Sequence, residues 1–261
     1  VSGRIHSNDG IRFDGVAYNV VTSAKSQYDD PDHSGPDEFG VHTHVDLPPA
    51  RGSTNEAFRP QEAPPNSVQN RPEVFKVGRQ LAVPAVDYTA LTANLAQIKA
   101  DAQTSGKYFA PSGALGYEVV LKTDDTFDVY KVTSIKAPPS GCTNLLNDSG
   151  WGTWSIGATT TVGNFPLPAV KKLLFFEDNV WVSGKINTAR LTIGSARFPE
   201  DPLTNTNITV NSNLLYSNYD STDVIGLIAQ NNINAGLFST DSLRIDAALV
   251  AKNGRIGRYY Y

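Results

Sequence analysis

The side chains best suited to hold a cation are crowded into one acidic stretch near the start of the chain. Its carboxylates are Asp29, Asp30, Asp32, Asp37 and Glu38. Carboxylate oxygens are the ligands that Ca²⁺ prefers, so this stretch is a candidate Ca²⁺ site. The alternate residues His42 and His44 would share one face of a strand, a spacing that Zn²⁺ can use. No EF-hand or zinc-finger spacing occurs, and a solvated loop without an ion is the alternative.

Aromatic side chains form a second candidate site, for a ligand with flat faces. Trp151 and Trp154 lie in a Gly- and Ser-rich stretch, and Tyr259 and Tyr260 follow Arg258 near the last residue. Exposed aromatic rings stack on sugars and on bases, so these residues predict binding of a glycan or of DNA. In the alternative interpretation, the tryptophans pack over a sheet edge and the tyrosines continue a strand.

Residue types that act on polysaccharides also occur, namely Asp178, Lys185, Arg190 and Arg197. Nothing in the sequence fixes them on one face, and Asp178 with its neighbour Asn179 suits a strand corner. The sequence contains no nucleophile elbow, P-loop or dinucleotide fingerprint. We therefore predict a protein without catalytic activity, with a polysaccharide-active β-helix enzyme as the alternative.

The composition limits the class of protein further. Only 18% of residues are charged, against about 25% in typical soluble domains, and the formal net charge is −4. Such a balance excludes a general electrostatic trap for nucleic acid or anionic membrane, and a neutral-polar surface is common in secreted β-proteins. No stretch approaches the ~18 apolar residues of a membrane span, so we predict no membrane contact by this segment. Because methionine is absent, we expect the chain to be part of a longer protein.

Near-copies of one short pattern recur along the chain. An apolar residue, an Asn-containing corner and a second apolar residue occur at 5–11, 228–233 and 250–256. Two strand segments, 227–229 and 249–251, are offset by 22 residues (249 minus 227), within the 20–50 residues typical of solenoid repeats. Repetition of strand residues as well as turn residues indicates stacked coils rather than a catalytic motif.

The predicted fold is therefore mainly β, with a parallel β-helix (β-solenoid)-like core, one helix, a β-hairpin and a long loop excursion. Corners of stacked coils need positive φ, which Gly and Asn tolerate, and stacked Asn side chains can hydrogen-bond along the axis. Alternation predicts that Ile245, Ala247, Leu249 and Ala251 point inward. An antiparallel β-sandwich with Gly/Asn turns is the alternative.

The elements are expected in four successive segments. These are first β-solenoid strands at 1–26, a Pro/Asp-rich loop excursion at 27–80, a helix plus β-hairpin at 81–165 and the main coils at 166–261. The helix is predicted to follow an Asp87 N-cap and to end before Gly106. The hairpin is predicted to turn at Asp124 and Asp125.

Five stretches carry a resemblance to a known family: "VSGRIHSNDGIRFDG", "GKYFAPSGALGYEVVLK", "LLFFEDNVWVSGKI", "DVIGLIAQNNI" and "LRIDAALVAKNGRIGRYYY". They resemble bacterial pilin-like surface proteins related to the large minor pilins of type IV pili. The similar sequences carry an N-terminal hydrophobic pilin helix, which does not occur in this sequence.

The resemblance implies a β-solenoid-rich domain on the bacterial cell surface or pilus. It implies contact with other pilin or surface-protein subunits, in pilus assembly, adhesion or surface contact. It implies no catalytic residues. A DNA-binding module at the pilus tip is a further alternative within the same resemblance.

Overall fold

The chain is mainly β, with strand at 40% and helix at 6% of residues. The computed structural model describes residues 1–30, 35–45, 59–137 and 154–258. The chain forms two compact units, Val1–Asp87 and Tyr88–Tyr261. The four-segment division stays a prediction. In the described residues, no helix is both long enough and apolar enough to cross a membrane.

The first unit is built from very short strands. Its elements are β1 (Ile5–Ser7), β2 (Ile11–Arg12), β3 (Val21–Ser23), β4 (Gln27–Tyr28), β5 (Glu38–Phe39), β6 (Val41–His42), a 3₁₀ helix (Pro60–Glu62) and β7 (Arg79–Gln80). β1, β3 and β7 form a parallel sheet, β2 pairs with β6 in parallel, and β4 pairs with β5 antiparallel. The described part of the predicted loop excursion therefore contributes strands to this unit.

Buried polar contacts supplement a small apolar core in the first unit. The core cluster consists of Ala17, Val21, Val41, Val74 and Phe75. Glu62, fully buried, accepts hydrogen bonds from the guanidinium groups of Arg71 and Arg79. Both arginines also donate to backbone carbonyls, Arg71 to Val45 at 2.6 Å and Arg79 to Val41 at 2.7 Å. Charge-assisted bonds of this kind attach the segment after the 3₁₀ helix to the strand that carries Val41.

The second unit contains the helix and the longer strands. Its elements are α1 (Thr89–Thr104), β8 (Lys107–Phe109), β9 (Gly116–Leu121), β10 (Thr126–Ile135), β11 (Ile156–Pro166), β12 (Leu173–Phe176), β13 (Val180–Ile186), β14 (Arg190–Ser195), β15 (Ile208–Thr209), β16 (Leu214–Tyr216), β17 (Val224–Ala229), β18 (Ile233–Ala235), β19 (Ala248–Ala251) and β20 (Ile256–Arg258). One sheet has the order β19-β17-β14-β12-β8, with every pair parallel. In the other, β9, β13, β15, β18 and β20 are also joined in parallel, β16 pairs with β13, and β10 and β11 extend it antiparallel.

The 22-residue offset predicted from the sequence is confirmed by the strand register. In the β17–β19 pair, Leu227 lies beside Leu249 and Ala229 lies beside Ala251. The predicted inward residues Ile245, Ala247, Leu249 and Ala251 all pack against the main apolar core. Alternation along the chain therefore sorted these side chains correctly.

The physical reason predicted for the corners is half wrong. The described non-Gly residues with positive φ are Ala82, Asp125, Trp154, Thr188 and Ser221. No corner Asn is among them, so Asn is not used here to reach the left-handed region. The other predicted reason, hydrogen bonding between stacked Asn side chains, is confirmed for one pair, Asn179 and Asn207, whereas the remaining bonds of these side chains go to backbone N–H groups.

The bonded asparagines are Asn179, Asn207 and Asn232, which we call the Asn ladder. Asn179 Oδ1 accepts from the backbone N and from Nδ2 of Asn207, at 2.9 and 3.1 Å. Asn207 Oδ1 accepts from the backbone N of Asn232 at 3.1 Å, and Asn232 Oδ1 accepts from the backbone N of Arg255 at 2.8 Å. Each side chain thus satisfies a backbone donor of the next strand connection.

The helix and the hairpin were predicted correctly, except for the helix cap. Tyr88 is the N-cap residue, without a side-chain cap bond, so Asp87 lies one residue too early. Leu95 and Ala102 are buried, and they pack with Leu173 of β12. β9 and β10 pair antiparallel around the Asp124–Asp125 turn, as predicted.

Candidate metal centre

Three short strands of the first unit bring four potential metal ligands together. Glu38 lies in β5 and His42 in β6, and Asp30 and His44 each lie two residues beyond a strand end. The antiparallel β4–β5 pair places Tyr28 beside Glu38, which brings the chain around Asp30 close. His42 and His44 are alternate residues, so their rings project from the same side of the chain.

The four side chains form a compact group, which we call the His–carboxylate cluster. One ligand atom from each lies within 4.8 Å of all the others. His42 Nε2 is 3.3 Å from Asp30 Oδ2 and 3.3 Å from Glu38 Oε2. His44 Nε2 is 3.1 Å from Glu38 Oε1 and 4.0 Å from Asp30 Oδ2. Asp30 is 4% exposed and the other three are 0% exposed.

Neighbouring groups hold the ring of His42 and the backbone of His44. His42 Nδ1 lies 3.0 Å from the carbonyl oxygen of Phe39, and the Tyr28 ring stacks on His42 at 6.2 Å between centroids. The backbone N of His44 donates to Asp14 Oδ1 at 2.7 Å. The imidazole of His42 is therefore positioned before any ligand arrives, which is typical of a built site.

A glycine makes part of this arrangement possible. A Cβ on Gly10 would lie 2.0 Å from the ring of Tyr28, the residue that stacks on His42. Only glycine therefore lets the corner at 5–11 approach the aromatic wall of the cluster so closely. This first copy of the repeated pattern supports the site, whereas the later copies form strand connections in the second unit.

The chemistry of the cluster follows from its charges. Two buried carboxylates that face each other are costly unless positive charge lies between or beside them. The two imidazoles supply that charge if they bind protons, and a divalent cation supplies it if they stay neutral. Two nitrogen and two oxygen ligands suit Zn²⁺ and neighbouring transition metals better than Ca²⁺, which prefers oxygen.

The structure brings together only part of the predicted acidic site. Asp30 and Glu38 belong to the cluster, and His42 and His44 complete it. Asp29 and Asp37 are exposed and lie outside the cluster, and Asp32 lies outside the described residues. A set of neighbouring carboxylates could not show which ones turn inward, because the β4–β5 pairing decides it.

The aromatic candidate site is described only at Trp154. This residue has a positive φ of 49° and is half-buried. Its carbonyl oxygen accepts hydrogen bonds from Trp181 Nε1 at 2.8 Å and from the side chain of Asn211. Trp154 therefore has a structural role. The other candidates, Trp151, Tyr259 and Tyr260, lie outside the described residues.

The candidate catalytic carboxylate forms the predicted strand corner. Asp178 is 1% exposed, and its oxygens accept from the backbone and hydroxyl of Ser112, from the backbone of Asn179 and from Arg197. Lys185 is exposed, and Arg190 donates to the carbonyl of Ser221. A carboxylate that accepts from all these donors stabilises the corner.

Comparison with known proteins adds nothing to this geometry. No family model, no curated protein and no solved structure matches this chain.

Proposed function

We propose that this chain is a non-catalytic β-solenoid module of a bacterial pilin-like surface protein, serving pilus assembly, adhesion or surface contact. The observation that carries the proposal is the pair of parallel ladders in the second unit. β12, β14, β17 and β19 follow one another in one sheet, and β13, β15, β18 and β20 follow in the other. A chain that alternates between two parallel ladders traces successive coils, each of which needs its neighbours to bury its inner face.

The Asn ladder supports the same architecture. Its side chains bind from one strand connection to the next, over sequence separations of 28, 25 and 23 residues. Stacked asparagines that bond along an axis are characteristic of piled β structure. An antiparallel sandwich would not need matching residues at successive connections.

The absence of catalysis is supported by how the buried carboxylates of the second unit are used. Asp223 accepts three backbone N–H bonds, from Ala189 at 3.0 Å, Ser217 at 2.9 Å and Asn218 at 2.7 Å. Burial by itself would raise the pKa of Asp223, but these donors outweigh it and lower the pKa. Asp223 therefore caps the backbone in its ionised form, whereas a general acid or base needs a pKa near the working pH.

The surface character favours an exported protein. Charged residues are scarce, and the net charge is small. These properties and the five stretches that resemble pilin-like proteins support a place on the cell exterior, with pilin or surface-protein subunits as partners.

Surface labelling tests the proposal directly. Antibodies raised against the chain should label intact cells of the source bacterium, and the antigen should appear in the sheared pilus fraction. A strain lacking the gene should attach less or form fewer pili. Labelling that requires cell lysis would contradict the proposal.

The two alternatives have their own measurements. Turnover on any of a panel of acidic polysaccharides, with and without Ca²⁺, would favour the enzyme. Duplex DNA binding that weakens with salt would favour a pilus-tip DNA module, and the slope would report the phosphates contacted.

A further inference from the structure

We propose that the His–carboxylate cluster is a closed, structural binding site for one divalent transition-metal ion, with Zn²⁺ as the best fit. Its ligands would be Asp30 and Glu38 through oxygen and His42 and His44 through Nε2. This inference concerns the first unit alone and does not depend on the function proposed above.

The hydrogen bond between His42 Nδ1 and the Phe39 carbonyl fixes the tautomer of the neutral His42 ring. The carbonyl oxygen of Phe39 can only accept, so the proton lies on Nδ1 of His42. In the neutral ring, Nε2 then carries a lone pair directed at the oxygens of Asp30 and Glu38. Acceptors that face acceptors are stabilised by positive charge between them, and a metal ion supplies this charge while the ring stays neutral. Metal-binding histidines characteristically donate their second N–H to a carbonyl in this way.

The charges of the cluster match a divalent ion. Two ionised carboxylates carry a charge of −2, and neutral imidazoles add none. A divalent cation therefore makes the centre neutral, which suits its position with ligands no more than 4% exposed. Exposed Asp29 and Asp37 contribute no ligand, in contrast to the Ca²⁺ site predicted from the sequence.

The spacing of the ligand atoms favours a small ion. Bonds of about 2.0–2.1 Å to zinc in a tetrahedron place neighbouring ligand atoms about 3.3 Å apart. His42 Nε2 lies 3.3 Å from Asp30 Oδ2 and 3.3 Å from Glu38 Oε2, close to this edge, whereas His44 Nε2 lies farther from Asp30 Oδ2, at 4.0 Å. Ca²⁺ needs six to eight oxygens at about 2.3–2.6 Å, and imidazole nitrogen is a poor substitute.

The position of the ligands in the fold indicates a structural role for the metal. Four protein ligands fill a tetrahedral zinc site, whereas catalytic sites keep one position open. The ligands lie in or just beyond β4, β5 and β6, each of two residues, in a unit with a small apolar core. A bound ion would join these segments, and its binding energy would add to the stability of the fold.

Metal titration of the full chain tests the proposal. The chain is stripped with a chelator, and Zn²⁺ is added in a calorimeter, with Co²⁺ as a visible-absorption probe in parallel. We expect one equivalent of Zn²⁺, a tetrahedral Co²⁺ spectrum and no comparable Ca²⁺ binding. His42→Gln and Glu38→Gln should each weaken Zn²⁺ binding by at least about 100-fold, since even outer-shell changes cost 10–100-fold.

The chain provides matched controls for both ligand types. His6 bonds to Thr22 and Asn8 outside the cluster, so His6→Gln should bind Zn²⁺ as the unsubstituted chain does. Exposed Asp37 lies one residue before Glu38, and Asp37→Asn should also leave binding unchanged. Equal loss in a cluster variant and its control would overturn the assignment.

X-ray absorption of the Zn²⁺-loaded, unsubstituted chain keeps the test valid if a cluster variant fails to fold. Scattering from two imidazole rings, with light-atom ligands at about 2.0–2.1 Å, is the expected result. No Zn²⁺ binding by the unsubstituted chain, binding of Ca²⁺ alone, or a spectrum without imidazole would each refute the proposal.

Discussion

The Asn ladder is expected to stabilise the second unit measurably, and Asn207→Ala tests this. The substitution removes the acceptor for the backbone N–H of Asn232 and the donor to Asn179 Oδ1. Leaving a buried donor without a partner costs about 1–3 kcal/mol, and a lost side-chain bond costs about 0.5–1.5 kcal/mol. Asn207 is 7% exposed, so water cannot fully replace the lost bonds. We expect the free energy of unfolding to fall by about 2–3 kcal/mol.

In a unit of this length each kcal/mol lowers the melting temperature by about 2–4 °C, so the midpoint should fall by about 4–12 °C. Tryptophan fluorescence is the appropriate signal, because all three tryptophans, Trp151, Trp154 and Trp181, lie in the second unit. Urea and thermal unfolding followed by this signal therefore report on the unit that contains the ladder.

The matched control is Asn253→Ala, which changes a corner asparagine outside the Asn ladder. Its side chain is exposed, and the bond that it contributes to the stack runs from its backbone N to the carbonyl of Gln230. Exposed substitutions of this kind change stability by about 0.5 kcal/mol or less. If Asn207→Ala is as mild as Asn253→Ala, the side-chain bonds of the ladder do not stabilise the unit and the reasoning fails.

Three further substitutions extend the test to other parts of the second unit. Gly184→Ala should lower the free energy of unfolding by about 2 kcal/mol or more, because φ is +106° and a Cβ would lie 2.2 Å from the Leu121 carbonyl oxygen. The control is Gly3→Ala in the matching "VSGRI", where a Cβ meets open space, and it should leave urea unfolding unchanged. Burial and the hydrogen bond to Glu177 raise the pKa of Tyr108 from 10.0 to about 12. The stabilisation by Tyr108 is therefore complete below pH ~10 and is lost as pH rises toward ~12. Tyr108→Phe should reduce this loss of unfolding free energy at alkaline pH. Asp223→Ala should lower the free energy of unfolding by at least about 2 kcal/mol, because three backbone donors lose their acceptor. The pKa of Asp223 is lowered in the folded protein, so its stabilisation is fully present above the unfolded pKa of 3.8 and is lost as pH falls through the folded pKa. The variant should therefore lose less stability below pH ~4, and an unchanged dependence of stability on acidic pH would contradict this.

Local periodicity predicted the strands of the second unit well where the connecting segments are similar in length. The offset between 227–229 and 249–251 was visible because both strand and corner residues repeat. The Asn ladder was not visible, since its successive bonds span 28, 25 and 23 residues and share no fixed period. A search for equal spacing fails where the segments between paired strands differ in length.

The first unit shows a different limit of sequence reasoning. Its strands are two or three residues long, too short for a period to be recognised. The repeated "VSGRI" and "VSGKI" also have different structures: the second lies within β13, whereas residues 1–4 precede β1. Similar residues adopt different conformations here because distant strand pairing, and not local preference, decides the outcome.

The candidate site could be predicted in its chemistry but not in its membership. Alternation placed His42 and His44 on one side, and the acidic stretch supplied carboxylates. Selection of Asp30 and Glu38 over Asp29 depended on the pairing of β4 with β5, a tertiary feature. The preference for Ca²⁺ followed from counting carboxylates before their neighbours were known.

Repetition separates the two uses of polar side chains in this protein. In the second unit, asparagine recurs at successive connections, because each one satisfies a backbone donor of the next connection. The His–carboxylate cluster occurs once, and its side chains face one another, so no backbone ladder accounts for them. Buried carboxylates that converge in this way are stabilised by positive charge beside them, and a bound metal ion is the source that we propose here. For this physical reason the metal site is expected in the small unit with short strands, although the repeats that define the fold lie in the other unit.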